Sequence, residues 1–263
     1  MSWLTSLPAT VLVAGGLALA LLVALGSRLA LRALTPAAER DGAYGIAGPL
    51  MPALGAVFGL LIALSLASEA GSLASAQGIV SNEAADASRL AWAATSAGVS
   101  TAPIQSALLG YLRATRADEW HGNSAANGTD PATVRAIAGL ERAVRAQAAR
   151  PGLGTPTSTE LLASLDALTG DRRARLAAAS RELPALYVVV LALSGAALIA
   201  NATVLTLRGG WRPALLVGGL SVVIGLSIAL LFALGTPWRG PITVSGQPID
   251  SVARDLNTGY FHR

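Results

Sequence analysis

The chain alternates between long apolar runs and polar segments. No Asp, Glu, Lys or Arg occurs in residues 1–27, 42–68, 183–207 or 213–238. Each run exceeds the ~20 residues that a helix needs to cross the hydrocarbon core of a bilayer. The pattern therefore predicts an all-α integral membrane protein with four transmembrane helices arranged as two hairpins.

A charge-rich insert separates the two pairs of apolar runs. We expect a first transmembrane hairpin in residues 1–67, a helical extramembrane domain in 68–182, a second hairpin in 183–236 and a polar tail in 237–263. Apolar residues at intervals of three and four in the insert are typical of amphipathic helices. About four helices are expected there, two of them continuous with membrane spans.

Proline, glycine and capping residues predict where several helices begin. Glycine and proline in residues 35–48 indicate a linker before the second span. Asp130 followed by Pro131 supplies a capping side chain and a first-turn proline, which favours a helix start. Thr157 and Glu160 have the spacing of a capping box and predict another start.

Four residues in or beside the spans are candidates for packing or pore lining. Gly55 and Gly59 form a small-xxx-small pair, which favours close packing within one subunit; a subunit interface or a pore lining is the alternative. Glu69 ends the second span, and a ring of such carboxylates around an oligomer axis would act on passing ions. Asn201 lies among apolar residues of the third span, where we expect a structural hydrogen bond, with a transport role as the alternative.

Composition supports the membrane prediction and argues against nucleic-acid binding. The chain is 53% hydrophobic and 13% charged, with a formal net charge of +4. The insert is neutral, and the excess basic residues lie at the ends of apolar runs, where they ordinarily anchor helices. No basic stripe with interleaved aromatic residues is present. All basic residues are Arg, which fits a GC-rich bacterial genome.

The residue types that support catalysis or metal binding are scarce. The chain has no Cys, and its two histidines are His121 in a predicted loop and His262 near the C-terminus. The sequence therefore offers too few residues of these types to predict a histidine metal site or a catalytic Ser/His pair. No glycine-rich phosphate loop occurs. We predict neither an enzyme nor a bound metal, nucleotide or other cofactor.

Several short patches resemble the bestrophin-like bacterial membrane proteins, a domain family of unknown function. They begin with the Gly55–Gly59 segment and end with a Pro-Trp-Arg-Gly-Pro tail, in the order of the family. The residues that carry the resemblance are Glu83, Tyr111, Glu119, Trp120, Arg172, Arg173, Arg175, Pro237, Trp238, Gly240 and Pro241. The spacing from Tyr111 to Glu119 and Trp120 and the Arg-Gly-Pro of the tail are the most specific signals, and the other patches are weak alone. Residues 43–48 depart from the family pattern, since they lack its usual Glu-His-Asn.

The resemblance implies a function. Bestrophins are oligomeric anion channels with four membrane helices and a helical domain between the second and third, so the resemblance implies a homo-oligomeric channel, for anions, in the lipid bilayer. The alternative is a non-conducting membrane scaffold whose helical domain binds a protein partner, because fold analogy does not establish function.

Charge distribution supports two further predictions. Glu83 or Glu119 should pair with a residue of the basic cluster Arg172, Arg173 and Arg175, because packed helices rarely bury a lone charge. For location we expect a multi-pass protein of the bacterial cell membrane. Because the first span has basic residues after it and none before it, we place the helical domain outside the cell. A cytoplasmic domain is the alternative, since basic residues near the span ends are equally numerous on both sides and the resemblance to bestrophins favours it.

Overall fold

The structure is a computed structural model, and it describes residues 9–34, 40–120, 122–181, 184–207, 211–235, 237–238 and 242–262. These ranges contain eight α-helices and no β-strand. In chain order the helices are α1 (Ala9–Leu34), α2 (Arg40–Ala93), α3 (Thr101–Asp118), α4 (Pro131–Ala148), α5 (Thr155–Ala179), α6 (Ala185–Thr206), α7 (Trp211–Leu234) and α8 (Gln247–Asn257). The chain divides into two compact units, and the first boundary falls inside α2 after Ser72.

The first unit contains α1, the N-terminal part of α2, α6 and α7. Its core is apolar and includes Phe58 of α2, Leu198 of α6 and Ile224 of α7. Gly16 of α1 and Gly225 of α7 meet backbone to backbone, since a Cβ built on Gly225 would lie 2.8 Å from the Gly16 carbonyl oxygen. Side chains at these positions would force the two helices apart, so glycine is required there.

Helix α2 is continuous over 54 residues, which agrees with the long second helix that the residue pattern favours. The predicted linker over residues 35–48 is too long, because α2 already begins at Arg40; residues 35–39 lie outside the described residues. Pro49 and Pro52 lie inside the helix. Apolar spans tolerate such prolines because neighbouring groups satisfy the carbonyls that lose their N–H partners.

Four of the described helices are long and apolar enough to cross a membrane. The candidate spans are Val13–Ala33, Gly42–Ala93, Ala185–Thr206 and Trp211–Leu234. Large apolar side chains on these helices are exposed in the single chain; Leu216 of α7, for example, is 76% exposed. Exposed apolar surface of this extent marks contact with lipid or with another protein. The all-helical prediction is confirmed for the described residues.

The second unit contains the C-terminal part of α2 together with α3, α4, α5 and α8. Each helix contributes to one apolar core, through Leu90, Leu108, Leu140, Leu165 and Ile249 in chain order. The C-terminal segment was expected to be a separate polar tail, but most of it belongs to this unit. Its apolar positions explain the difference, because they complete the core.

One of the two predicted capping signals is used. The Asp130 side chain accepts hydrogen bonds from two backbone N–H groups in the first turn of α4, as predicted. The capping box of Thr157 and Glu160 is absent, and that prediction was wrong: α5 begins before it, with Pro156 in its first turn. Glu160 instead binds Arg89 of α2, with Nε and Oε1 2.8 Å apart.

Helix α5 does not continue into the third apolar run, which corrects the second predicted continuity. It ends at Ala179, and α6 begins at Ala185, directly after Pro184. Proline lacks an N–H donor and disfavours the helical conformation in the residue before it, so the chain breaks here. Residues 182–183 lie outside the described residues.

Candidate functional site

Buried charges of opposite sign meet in the core of the second unit. Glu83 of α2, Glu119 directly after α3 and Arg175 of α5 are each 0% exposed. Arg175 Nε donates to Glu83 Oε2 at 2.7 Å, and its Nη2 donates to Glu119 Oε2 at 3.1 Å. Arg175 Nη1 donates to the Glu119 backbone carbonyl at 3.1 Å. The ion pairing predicted for the basic cluster is therefore present.

Arg172 and Tyr111 complete this buried charge network. Arg172 Nη2 donates to Glu119 Oε1, and the Tyr111 hydroxyl donates to Glu83 Oε1. Every carboxylate oxygen of the two glutamates thus accepts at least one hydrogen bond, and two positive charges balance two negative charges. Buried charges are tolerated only when paired in this way. The network ties α2, α3 and α5 to one another.

The electrostatic environment keeps these groups in fixed protonation states. Burial disfavours the charged form of Arg175, but the carboxylate of Glu83, with Tyr111 and Glu119, outweighs it and raises the pKa of Arg175 above its usual value. Burial, followed by the negative charge of Glu83, raises the pKa of Tyr111 well above its usual value. Arg175 therefore stays charged, and Tyr111 stays a neutral donor.

Aromatic side chains lie against the network. The Trp120 ring centroid is 4.5 Å from the guanidinium carbon of Arg116 and 5.7 Å from that of Arg175. Trp238 packs edge to face on Trp120, with ring centroids 5.2 Å apart, and both rings are buried. Two residues of the family motifs that lie far apart in sequence are thus in contact.

The C-terminal segment is fixed to α3 at a second point. Arg116 Nε lies 2.8 Å from Asp250 Oδ1 of α8. A Cβ built on Gly246 would lie 2.3 Å from the Arg116 guanidinium carbon, so the ion pair depends on glycine at this position. Just before the helix, the Val244 N–H donates to the Pro237 carbonyl at 2.9 Å.

An acidic pair beside the network was missed by the sequence reasoning. Asp171 of α5 is half-buried and lies close enough to Asp86 of α2 for the two carboxyl groups to interact. Burial, then the nearby carboxyl group of Asp86, then the charge of Glu83, raise the pKa of Asp171 to about 6. Two carboxyl groups this close cannot both be ionised cheaply, so Asp171 keeps its proton up to about pH 6. Nothing in the local sequence pairs two residues so far apart.

Gly55 and Gly59 do not pack against any other helix among the residues that the structure describes. A Cβ built on either glycine meets no atom within 4 Å. Phe58 and Ile62 make the contact of α2 with the core of the first unit. The expectation of packing within one subunit is therefore wrong for these two residues. Glu69 follows Gly55 by about four helical turns, which places both on one side of α2.

Asn201 makes a structural hydrogen bond. Its Nδ2 donates to the Ala47 carbonyl of α2 at 2.9 Å and contacts the Met51 sulfur at 3.5 Å. An amide placed among apolar helices needs such a partner. The structural alternative considered for Asn201 is thus the one that the geometry supports.

The remaining predicted residues lie apart from the network. Arg173 is exposed, and its Nε donates to the Thr169 carbonyl of its own helix at 3.2 Å. Gly240 and Pro241 lie outside the described residues, as does His121. Arg173 is one position away from Arg172, which turns it about 100° around α5 and away from the core.

The arrangement is suited to holding helices together. Both carboxylates of the charge network accept hydrogen bonds from its arginines, and Glu83 accepts one more from Tyr111. Across the described residues no group of three or more His, Cys, Asp or Glu side chains could hold a metal ion. The network can fix the positions of α2, α3 and α5, which is a structural task.

The fold and the comparisons together define the class of the protein. Apolar helices of membrane-spanning length, combined with a helical unit built on a buried charge network, describe an α-helical integral membrane protein. The bestrophin-like domain family matches residues 18–249, which is most of the chain. The chain belongs to the bestrophin-like family.

Solved structures share this fold. Two crystal structures of point mutants of a bacterial bestrophin homologue from Klebsiella pneumoniae match with a TM-score of 0.68 each. The first is 11% identical and covers 93% of this chain and 99% of its own; the second is 12% identical and covers 94% and 98%. A third crystal structure, described as that of a membrane protein, has a TM-score of 0.66 at 12% identity, with 94% of this chain and 97% of its own covered. Comparison with curated proteins finds no match.

Proposed function

We propose that this chain assembles with copies of itself into an ion channel. The observation that carries the proposal is the agreement of fold with a bestrophin homologue over nearly the whole length of both chains. Membership of the family supports it. Four spans, in two hairpins on either side of the helical domain, would give each subunit the membrane part that a channel needs.

Helix α2 is the best candidate to face the other subunits and the pore. The side of α2 that carries Gly55 and Gly59 is uncovered within the single chain. Small residues let backbones approach closely, so this face suits a contact between subunits or the lining of a narrow pore. Glu69 lies on the same side, where a ring of carboxylates would meet passing ions.

Replacing one of these glycines tests the assembly. A Cβ built on Gly59 meets no described atom within 4 Å, so Gly59→Leu is not expected to abolish folding, but its side chain would separate packed subunits. We expect a lower oligomer mass in detergent, measured by light scattering. Gly71→Leu is the matched control, because that glycine is also uncovered but lies on a different side of α2. A monomeric wild type, or an unchanged mass for Gly59→Leu, contradicts the assembly.

Conduction is tested with purified protein in liposomes. The proposal predicts that salt gradients drive ion flux, and the family resemblance favours anions. Glu69 favours the opposite selectivity, since rings of acidic residues are typical of cation pathways. Glu69→Gln should therefore shift the ratio of anion to cation flux towards anions, whereas Glu141→Gln, on α4 of the second unit, should not. Assembly without any flux would favour the non-conducting scaffold.

We further propose that the protein lies in a bacterial cell membrane with its helical domain outside. The first span, flanked by Arg28 and Arg32 only at its C-terminal end, supports this orientation. Because the chain has no native Cys, Ala138→Cys on the exposed surface of α4 gives a single label site. Labelling of intact cells by a membrane-impermeant maleimide is expected. Labelling only after lysis contradicts the orientation.

A further inference from the structure

A cleft of about 180 Å³ opens between α1, α6 and α7 in the first unit. Its walls are mostly apolar and include Leu21 and Leu25 of α1 and Val217 and Gly218 of α7. The two leucines are about half exposed, so the cleft is open to the surroundings of the helices. A ligand that binds in the cleft must therefore cover these apolar walls with an apolar group.

Arg28 is the charged residue in the lining of the cleft. It is half-buried, and no hydrogen bond or ion pair joins it to another described residue. The hydroxyls of Thr203 and Thr206 also line the cleft, but both donate to carbonyls of their own helix. Among the described residues of the lining, the Arg28 guanidinium is thus the polar group that a ligand can bind, and its positive charge favours an anionic ligand.

The cleft lies beside one end of the apolar helices. Arg28 follows directly after the uncharged N-terminal run, and α6 ends at Thr206, which lines the same cleft. Trp211, the first residue of α7, is 70% exposed, and exposed tryptophans at span ends are typical of the membrane interface. At a membrane interface, the Arg28 cation above this apolar cleft is complementary to a phospholipid, whose phosphate lies above its acyl chains.

We infer that this cleft binds one anionic phospholipid. Its phosphate pairs with the Arg28 guanidinium, which can donate two parallel hydrogen bonds to phosphate oxygens. The first carbons of an acyl chain lie along Leu21, Leu25 and Val217. A free phosphate would leave this apolar wall uncovered, and a neutral lipid would leave the arginine without a net opposite charge. The site is independent of whether the protein conducts ions.

Two pairs of variants separate the site from its surroundings. Arg28→Gln removes the cation, and Arg32→Gln removes the next cation on the same side of α1, which is exposed and outside the cleft. Gly218→Leu fills the cleft, and Gly219→Leu adds the same side chain one position away. An added Cβ meets no atom within 4 Å at either glycine, so neither change should disturb the fold.

The experiment measures thermal unfolding of the purified full chain in detergent micelles during titration with phospholipid. Phosphatidylglycerol should raise the unfolding temperature of the wild type, Arg32→Gln and Gly219→Leu. Arg28→Gln should need at least ~10-fold more lipid for the same rise, which is the loss expected for a hydrogen bond to a charged group. Gly218→Leu should also need more lipid, because its side chain occupies the place of the acyl chain. Phosphatidylcholine and sodium phosphate should have little effect.

Three results would overturn the site. Equal weakening by Arg28→Gln and Arg32→Gln would show general attraction of anionic lipid to a basic surface. Equal effects of phosphatidylcholine and phosphatidylglycerol would show an apolar groove without headgroup recognition. A rise produced by sodium phosphate alone would show a site for the free anion and not for a lipid.

Discussion

Replacement of Arg175 by methionine should be among the most destabilising changes in the second unit. Arg175 is 0% exposed and donates hydrogen bonds to Glu83 and Glu119, which are also 0% exposed. Removing one member of a buried ion pair leaves uncompensated buried charge, which costs about 3–5 kcal/mol. At about 2–4 °C per kcal/mol, the unfolding temperature should fall by roughly 6–20 °C. Circular dichroism of the full chain in detergent, at one scan rate, measures the change.

Arg173→Met is the matched control, because it makes the same substitution in the same helix at an exposed position. Its free energy of unfolding should change by no more than about 0.5 kcal/mol. Glu83→Gln combined with Arg175→Met should cost less than the two single changes added together, since both act on one interaction. Equal losses for Arg173→Met and Arg175→Met, or additive losses in the double variant, would refute the buried network.

Two further predictions concern the acidic pair and the close contact of glycines. Folding raises the pKa of Asp171 from 3.8 to about 6, so between these pH values the folded state binds more protons than the unfolded state. The stability of the folded state should therefore fall as the pH rises from about 4 to about 6. Asp171→Asn keeps a donor for Asp86 and should be more stable than wild type at pH 7 but not at pH 4, by thermal unfolding. Gly225→Ala places a Cβ 2.8 Å from the Gly16 carbonyl and should cost about 1–3 kcal/mol. Gly219→Ala meets no atom and should not lower the unfolding temperature.

The buried network shows how far sequence reasoning reaches. Glu83, Glu119 and the basic cluster were predictable as partners because charges are few in this apolar chain and cannot be buried singly. The helical period also distinguishes the arginines of the cluster from one another, since Arg172 and Arg175, three positions apart, lie on one side of α5. Arg173 lies between them in sequence but points elsewhere. Spacing alone would have excluded it from the network.

The glycines show what the sequence leaves undetermined. A small-xxx-small motif indicates that backbones can approach, but it does not identify the partner helix. Gly55 and Gly59 carry the motif without a partner among the described residues, while Gly16 and Gly225, each followed four positions later by an alanine, meet across two helices. Such contacts are set by the packing of whole helices. The Asp86–Asp171 pair is a tertiary contact of the same kind.

Single-channel recording from the purified protein in planar lipid bilayers tests the central claim most directly. If the chain forms a channel, discrete current steps should appear under an applied voltage. They should be lost or strongly reduced in Gly59→Leu and retained in Gly71→Leu, because only the former change is expected to disrupt subunit packing. Protein that is inserted and assembled but gives no current steps would contradict the account.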